Sequence, residues 1–484
     1  MTWAVLGGVL VAGASTAAVV VATRDGGADT PGVQRFLSRP DLTPPAIDVL
    51  SSNGGTAPGL FFLAPKQKVS QSGPLIVDGN GSLVWSLPEA AGATDFRVQE
   101  YQGRPVLTWW QGSSKVGVGQ GGYVIMDTAY HQTVTVHAAA GTQGDLHEFQ
   151  ITPAGTALIT SYPVRQANLT PAGGPADGYV YDCVAQEIDI ATGAVRWQWS
   201  ALDHVPLTES AVTPTTAGDG SRQHPYDYFH MNSVKPDSDG HVLISSRHTG
   251  TVYRVDMTTG AIEWRLGGKA SDFTIGDAAH FAWQHDAERQ PDGTITLFDN
   301  DAGGPDGSDD ATHSRALVLD VDTATHRASL VRAYTSPERV LAPSQGNMQV
   351  LPNGNVLVGW GAQPYFTEFS PDGTVLYDAT FGTGADSYRV YRLEWTGTPD
   401  TLPDLAVRAA PHGKMAVSAS WNGATEVASW QVLTGDDPAH LSVVRTARRT
   451  GFETTVTVPS RRYAQVRALD AHGDVLATSA THDR

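Results

Sequence analysis

"VYRVDMTTGAIEWRL", residues 252–266, is the stretch on which the fold turns. An apolar run leads into Asp256, an Asp-x-x-x-Gly turn reverses the chain, and the return run carries Trp264. Such runs on either side of a glycine turn mark a β-hairpin. The same form recurs in "LIVDGNGSLVWSL" (75–87), "AQEIDIATGAVRWQW" (185–199) and, more loosely, "FTEFSPDGTVLYDATF" (366–381). A second hairpin, built around Pro-x-Gly, alternates with it: "HEFQITPAGTALIT" (147–160), "HMNSVKPDSDGHVLIS" (230–245), "HDAERQPDGTITLF" (285–298) and "GNMQVLPNGNVLVG" (346–359). Insertions fall near 111–121, 163–180 and 204–228, and residues 72 to about 396 show almost no amphipathic helix pattern.

Two alternating hairpins make a four-stranded repeat, the signature of a β-propeller blade. The expectation is therefore an all-β chain with about six blades over 58–396, "PGLFFLAP" at 58–65 closing the ring. After "GTPDTLPD" (397–404), a Pro-rich linker, the pattern changes. "KMAVSASWNGATEVASWQVLTG" and "YAQVRALDAHGDVLATS" alternate with period two and lack the blade motif. Residues 405–484 are expected to form a fibronectin type III-like β-sandwich with Trp421 and Tyr463 in its core.

Composition sets the outer limits. The chain has 484 residues, 40% hydrophobic and 17% charged, with a net charge of −18. It is globular, and its acidity argues against nucleic acid as a partner. Any anionic substrate must then be held by a local cluster of Arg, Lys or His. The single cysteine, Cys183, excludes an internal disulfide and multi-cysteine zinc sites, and reads as a buried structural thiol. Residues 2–23 carry no charge and are long enough to span a bilayer. They read as a signal peptide or membrane anchor over 1–23, followed by a linker over 24–57, which places the rest outside the cytoplasm.

Three histidines share one phase of the repeat. Pro153, Pro236 and Pro291 each follow a histidine, His147, His230 and His285, by six residues. Equivalent phases of successive blades lie at similar height around the axis, so the imidazoles converge if this phase faces the channel. Arg247 lies at the phase that Tyr162 holds one unit earlier. A lone blade histidine is usually structural; three in register beside an arginine indicate a polar centre. Three imidazoles could hold zinc, but an arginine in their midst opposes a divalent cation. An anion fits better, and a neutral imidazole is also a nucleophile.

These residues resemble the bacterial arylsulfotransferases. The matching motifs are "LHEFQ", "YFHMNSVKP", "LISSRHTGTVYRVD" and "FAWQHDAERQPDG", and the likeness spans roughly 58–396. The resemblance implies an exported six-bladed propeller that needs no cofactor and no nucleotide donor. Such enzymes move a sulfuryl group from a phenolic sulfate ester to another phenol through a sulfohistidine. By position, His285 would be the nucleophile. His147, His230 and Arg247 would bind the sulfuryl oxygens, and one of the two histidines would act as acid or base. Trp283, Phe229, Tyr228 and Asn232 are candidates for substrate contact, and Ser233, Asp286 and Asn300 for orienting the motif residues. No metal is assigned; membrane anchoring through the N-terminus and a homodimer are compatible with the reading. The enterobacterial members differ by an N-terminal β-domain and a disulfide, so this chain resembles a divergent branch whose donor and acceptor are not transferred.

Two other classes compete. The Asp-x-x-Thr-Gly-x-x-x-Trp pattern also occurs in quinoprotein dehydrogenases, where it docks neighbouring blades and so reports fold rather than cofactor. A non-catalytic propeller binding glycans or proteins would use the histidines as a pocket; turnover lost on replacing His285 separates it from an enzyme.

Overall fold

The structure is a computed structural model that describes residues 32–139, 141–301 and 312–484. The apolar segment 1–23 and the first part of the expected linker lie outside these residues. Among those described, no helix is long and apolar enough to cross a membrane.

The chain is all-β. From residue 60 to 393 it runs as mainly antiparallel sheets of four, five and eight strands, whose inner strands are β1 (Ala93–Tyr101), β2 (Gly144–Ile151), β3 (Met231–Pro236), β4 (His285–Arg289), β5 (Asn347–Val350) and β6 (Val390–Leu393). Each inner strand packs on the next, and β6 packs on β1. Because β6 is the last of them, its sheet is completed by early strands. Leu60–Leu63, from the segment expected to close the ring, lies between β6 and Leu75–Val77.

Side-chain amides stitch neighbouring inner strands. Asn347 on β5 donates to the Val390 carbonyl (2.9 Å) and accepts from its N–H (2.9 Å), and Gln349 does the same with Arg392. Gln99 on β1 likewise donates to Phe149 O and accepts from Ile151 N. An inner strand has no ladder partner on that side, so these bonds satisfy backbone groups that burial would otherwise leave open.

The hairpin motif also joins sheets. Asp256 accepts from the N–H groups of Thr258 and Thr259, and the turn it shapes presents Gly260 O to the indole N–H of Trp199, from the preceding sheet, at 3.0 Å. Apolar residues then fill the space between sheets; one cluster holds Leu158, Trp199, Phe229 and Tyr253. Cys183 is buried in the same cluster, where desolvation pushes its thiol pKa up.

Two expectations change. The stretch read as linker is structured from residue 32: Asp48–Ser52 adds an outer strand to Val375–Thr380. Phe36 packs on Phe452, and Ser38 binds Glu453. Residues 404–484 form two sheets, of three and five strands, around one core that includes Met415, Trp421, Trp430 and Val466. Tyr463, expected in that core, is only half-buried.

Candidate active site

Inside the ring, the inner strands carry two polar layers. The lower is ionic. Arg389 meets Asp95 (3.0 Å), Glu148 (3.1 Å) and Asp286 (3.3 Å); Arg97 meets Glu148 (2.8 Å); Lys235 lies between Glu148 (3.5 Å) and Asp286 (3.4 Å). All are buried, and the three cations match the three carboxylates. Burial pushes the Glu148 carboxyl up, but Arg389, Lys235 and Arg97 outweigh it and hold the pKa at about 2.

The upper layer holds the three in-phase histidines. Irregular backbone aims them: His230, Trp283 and Asp286 have φ of +55°, +56° and +54°, and the register shifts beside His230 and His285. Non-glycine residues rarely adopt such angles, and bulges of this kind re-aim side chains at functional sites. His147 and His230 lie edge to face with ring centres 4.9 Å apart. The Tyr388 ring lies 5.7 Å from His147 and 6.4 Å from His285, so it separates the histidines from the ionic floor formed by its neighbour Arg389.

Each histidine is held through Nδ1, but by different chemistry. His147 Nδ1–H donates to Asp145 (2.5 Å) and His230 Nδ1–H to Asp227 (2.5 Å). His285 Nδ1 lies 2.7 Å from Asn300 Oδ1. The Asn300 amide is oriented without ambiguity, because its Nδ2 donates to the carbonyls of Ala342 (2.9 Å) and Gln345 (3.0 Å). Its oxygen therefore faces His285, so Nδ1 carries the proton and Nε2 the lone pair. Gln345 N–H donates to that Nε2 at 3.2 Å. Burial and the nearby Arg247 push the His285 pKa well below its ordinary value. His230 is lowered likewise, by burial and then by His147 and Arg247.

Arg247 lies over the Trp283 ring at 4.3 Å, donates to Pro343 O (3.0 Å) and to His248 Nε2 (2.8 Å). Burial lowers its pKa to about 10, which leaves it a cation at neutral pH. His248, not singled out from the sequence, donates its Nδ1–H to Asp227 O (2.5 Å); burial lowers its pKa to about 3. Asp227, His230 and His248 are near enough to share a metal ion. Arg247 on His248 opposes a second cation there and adds the charge that an anion would meet.

A cavity of about 600 Å³ opens above this layer. His230, Arg247, His248 and Trp283 line it, with Asp227 and Ser344. His147 and His285 lie behind that wall, fully buried. The other expected substrate contacts do not reach it. Tyr228 and Phe229 are buried in the apolar core between sheets, and Asn232 donates to Gln284 O (2.6 Å), behind the peptide that carries His285. Of the expected orienting residues, Asn300 holds His285 while Asp286 turns into the ionic floor. Asp145 and Asp227 were missed; the available signal was an aspartate two or three residues before its histidine, in "DLH" and "DYFH".

The family profile of Arylsulfotransferase (ASST) matches residues 97–382, which include all four of these His and Arg positions. No curated protein matches the chain. Solved structures similar to it include a protein of unknown function from Bacteroides caccae (11% identity, 69% of this chain and 98% of that one, TM-score 0.41). Others are the β-propeller domain of Cps50 (Swd1) from Myceliophteria thermophila (10%, 68% and 97%, TM-score 0.32) and virginiamycin B lyase from Staphylococcus aureus (9%, 69% and 83%, TM-score 0.26).

Proposed function

The chain belongs to the arylsulfotransferase family, and from that premise we propose that it transfers a sulfuryl group between an aryl sulfate and a phenol through sulfated His285. The observation that carries this is the Asn300 amide: it keeps the proton on Nδ1 and leaves Nε2 as the neutral nucleophile. In the first half-reaction, Nε2 attacks the ester sulfur, the N–S bond forms and the S–O(aryl) bond breaks. The phenoxide leaves with the electron pair. Attack exchanges the weak Gln345 N–H contact for the new bond, and Arg247 supplies positive charge for the sulfuryl oxygens. In the second half-reaction, a phenol oxygen attacks the sulfur, the N–S bond breaks and the pair returns to Nε2.

His230 is our choice for the proton. It reaches the cavity, and Asp227 supports the imidazolium that forms when His230 takes the proton of the incoming phenol. That proton then passes to the next departing phenoxide. His147 remains behind the cavity wall and orders His230 by ring contact.

We read the inner-strand cycle β1 to β6 as a six-bladed propeller, and the two C-terminal sheets as a fibronectin III-like sandwich. The uncharged residues 2–23 support an extracytoplasmic location as signal or anchor. The test mixes the protein with 4-nitrophenyl sulfate, with and without phenol, and follows nitrophenolate release and intact mass. A burst with one sulfuryl group added, absent in His285→Ala, is expected. Release that survives His285→Ala would overturn the assignment.

A further inference from the structure

The hairpin Arg104–Lys115/Val118–Met126 ends in a two-residue turn, Val116-Gly117, directly at the cavity. Both turn residues have positive φ, +49° and +79°. Turns of this form favour Asn-Gly, because a β-branched residue is strained in the left-handed region. Val116 is nonetheless there, 87% exposed, with its apolar side chain part of the cavity lining. Gly117 shows how close the tip comes to the catalytic layer: a Cβ there would lie 3.2 Å from His230 Cε1. The hairpin is also held by the site itself. Gly119 N–H donates to Asp145 (2.6 Å), the carboxylate that orients His147, and Val118 is buried in the core with Tyr162.

A strained, solvent-exposed valine gains little from folding at this position, so its use lies in the cavity it borders. The opposite side of the cavity presents Trp283 beneath Arg247, and Tyr181, Val212 and Pro225 continue the wall outward. A volume of about 600 Å³ suits a ligand of several rings better than one phenol ring. We propose that the 115–118 tip is an acceptor-selecting clamp, in which Val116 closes on the outer ring of an extended, multi-ring phenol. This rests on the transfer reaction proposed above, since it places the phenol hydroxyl at His230 and the outer ring at the hairpin.

Calorimetric titration with two unsulfated phenols, phenol and 4-phenylphenol, tests it without requiring turnover. Wild type should bind 4-phenylphenol at least about tenfold more tightly than phenol. Val116→Asn, which suits the turn, should keep or raise Tm while weakening 4-phenylphenol about fivefold and phenol less than about twofold. Val116→Ile should retain the wild-type preference. Equal weakening of both phenols, a wild type without preference, or no binding of 4-phenylphenol overturns the clamp. Nitrophenolate release from 4-nitrophenyl sulfate is measured beside it. Selective binding with no sulfuryl transfer would leave the clamp standing and refute the proposed reaction.

Discussion

The two polar layers inside the ring meet on β2 and β4, where neighbouring residues divide between them, and differ in how their charges are matched. His147 belongs to the upper layer and Glu148 to the floor; so do His285 and Asp286. In the floor each cation meets at least one carboxylate, which is how buried charge stays affordable and rigid. In the upper layer the carboxylates Asp145 and Asp227 are bonded to histidines, and the cation Arg247 rests on a ring, a carbonyl and a neutral imidazole. Burial alone therefore does not mark the site. What marks it is a cation without a carboxylate partner among the described residues, beside the His230 imidazole at the wall of a cavity.

The largest expected effect separates the layers by chemistry. His285→Ala should lower sulfuryl transfer at least about 10⁴-fold while the protein stays folded, as read by transfer rate and by circular dichroism. The converse change is Arg389→Met, which strands Asp95, Glu148 and Asp286 without their shared partner. It should cost about 3–5 kcal/mol in denaturant unfolding. A floor variant that unfolds at the wild-type denaturant midpoint would dissolve the distinction.

Within the upper layer, Asp227→Asn gives His230 the same kind of amide partner as His285. Transfer to phenol should slow at least about tenfold, with the nitrophenolate burst nearly intact, as stopped-flow measurement would show. The smallest effects come from pH. Activity needs neutral His285, whose pKa is lowered, so the active form persists as pH falls. Burst rates at pH 7.5 and 5.5 should agree within about twofold, whereas an ordinary imidazole would lose about tenfold. The floor responds in a lower window. Glu148 is depressed from 4.5 to about 2, so its stabilisation is present above 4.5 and lost as pH falls through 2. Urea midpoints measured across that window report it.

Much of this was legible in the sequence for a physical reason. The alternating hairpins have strong periodicity and a fixed turn, so the strands and the shared phase of His147, His230 and His285 follow from spacing, and the segment expected to close the ring, 58–65, contains the strand Leu60–Leu63. Local backbone departures hid the rest. Arg247 and His248 would face opposite ways on a strand, but they lie in the turn after Ser246 and both reach the cavity. Bulges turn Asp286 into the floor, while Tyr228 and Phe229 fill the space between sheets. Asp48–Ser52 reads "DVLSS", with no apolar period, because an outer strand pairs through its backbone and buries little. Asp145 and Asp227 act through single hydrogen bonds, which leave no periodic trace.

The late position of β6 has a consequence for biosynthesis. Leu60–Leu63 must wait for Val390–Leu393, some 330 residues later, before its sheet is complete. Arg389, the last of the floor's three cations and the one that meets all three carboxylates, arrives with the same segment. A chain emerging from the ribosome therefore carries Asp95, Glu148 and Asp286 against only two cations, Arg97 and Lys235, until nearly all of the ring has been synthesised. Closure and charge balance come in one late step, so a chain ending before residue 389 should remain a chaperone client and acquire no sulfuryl-transfer centre.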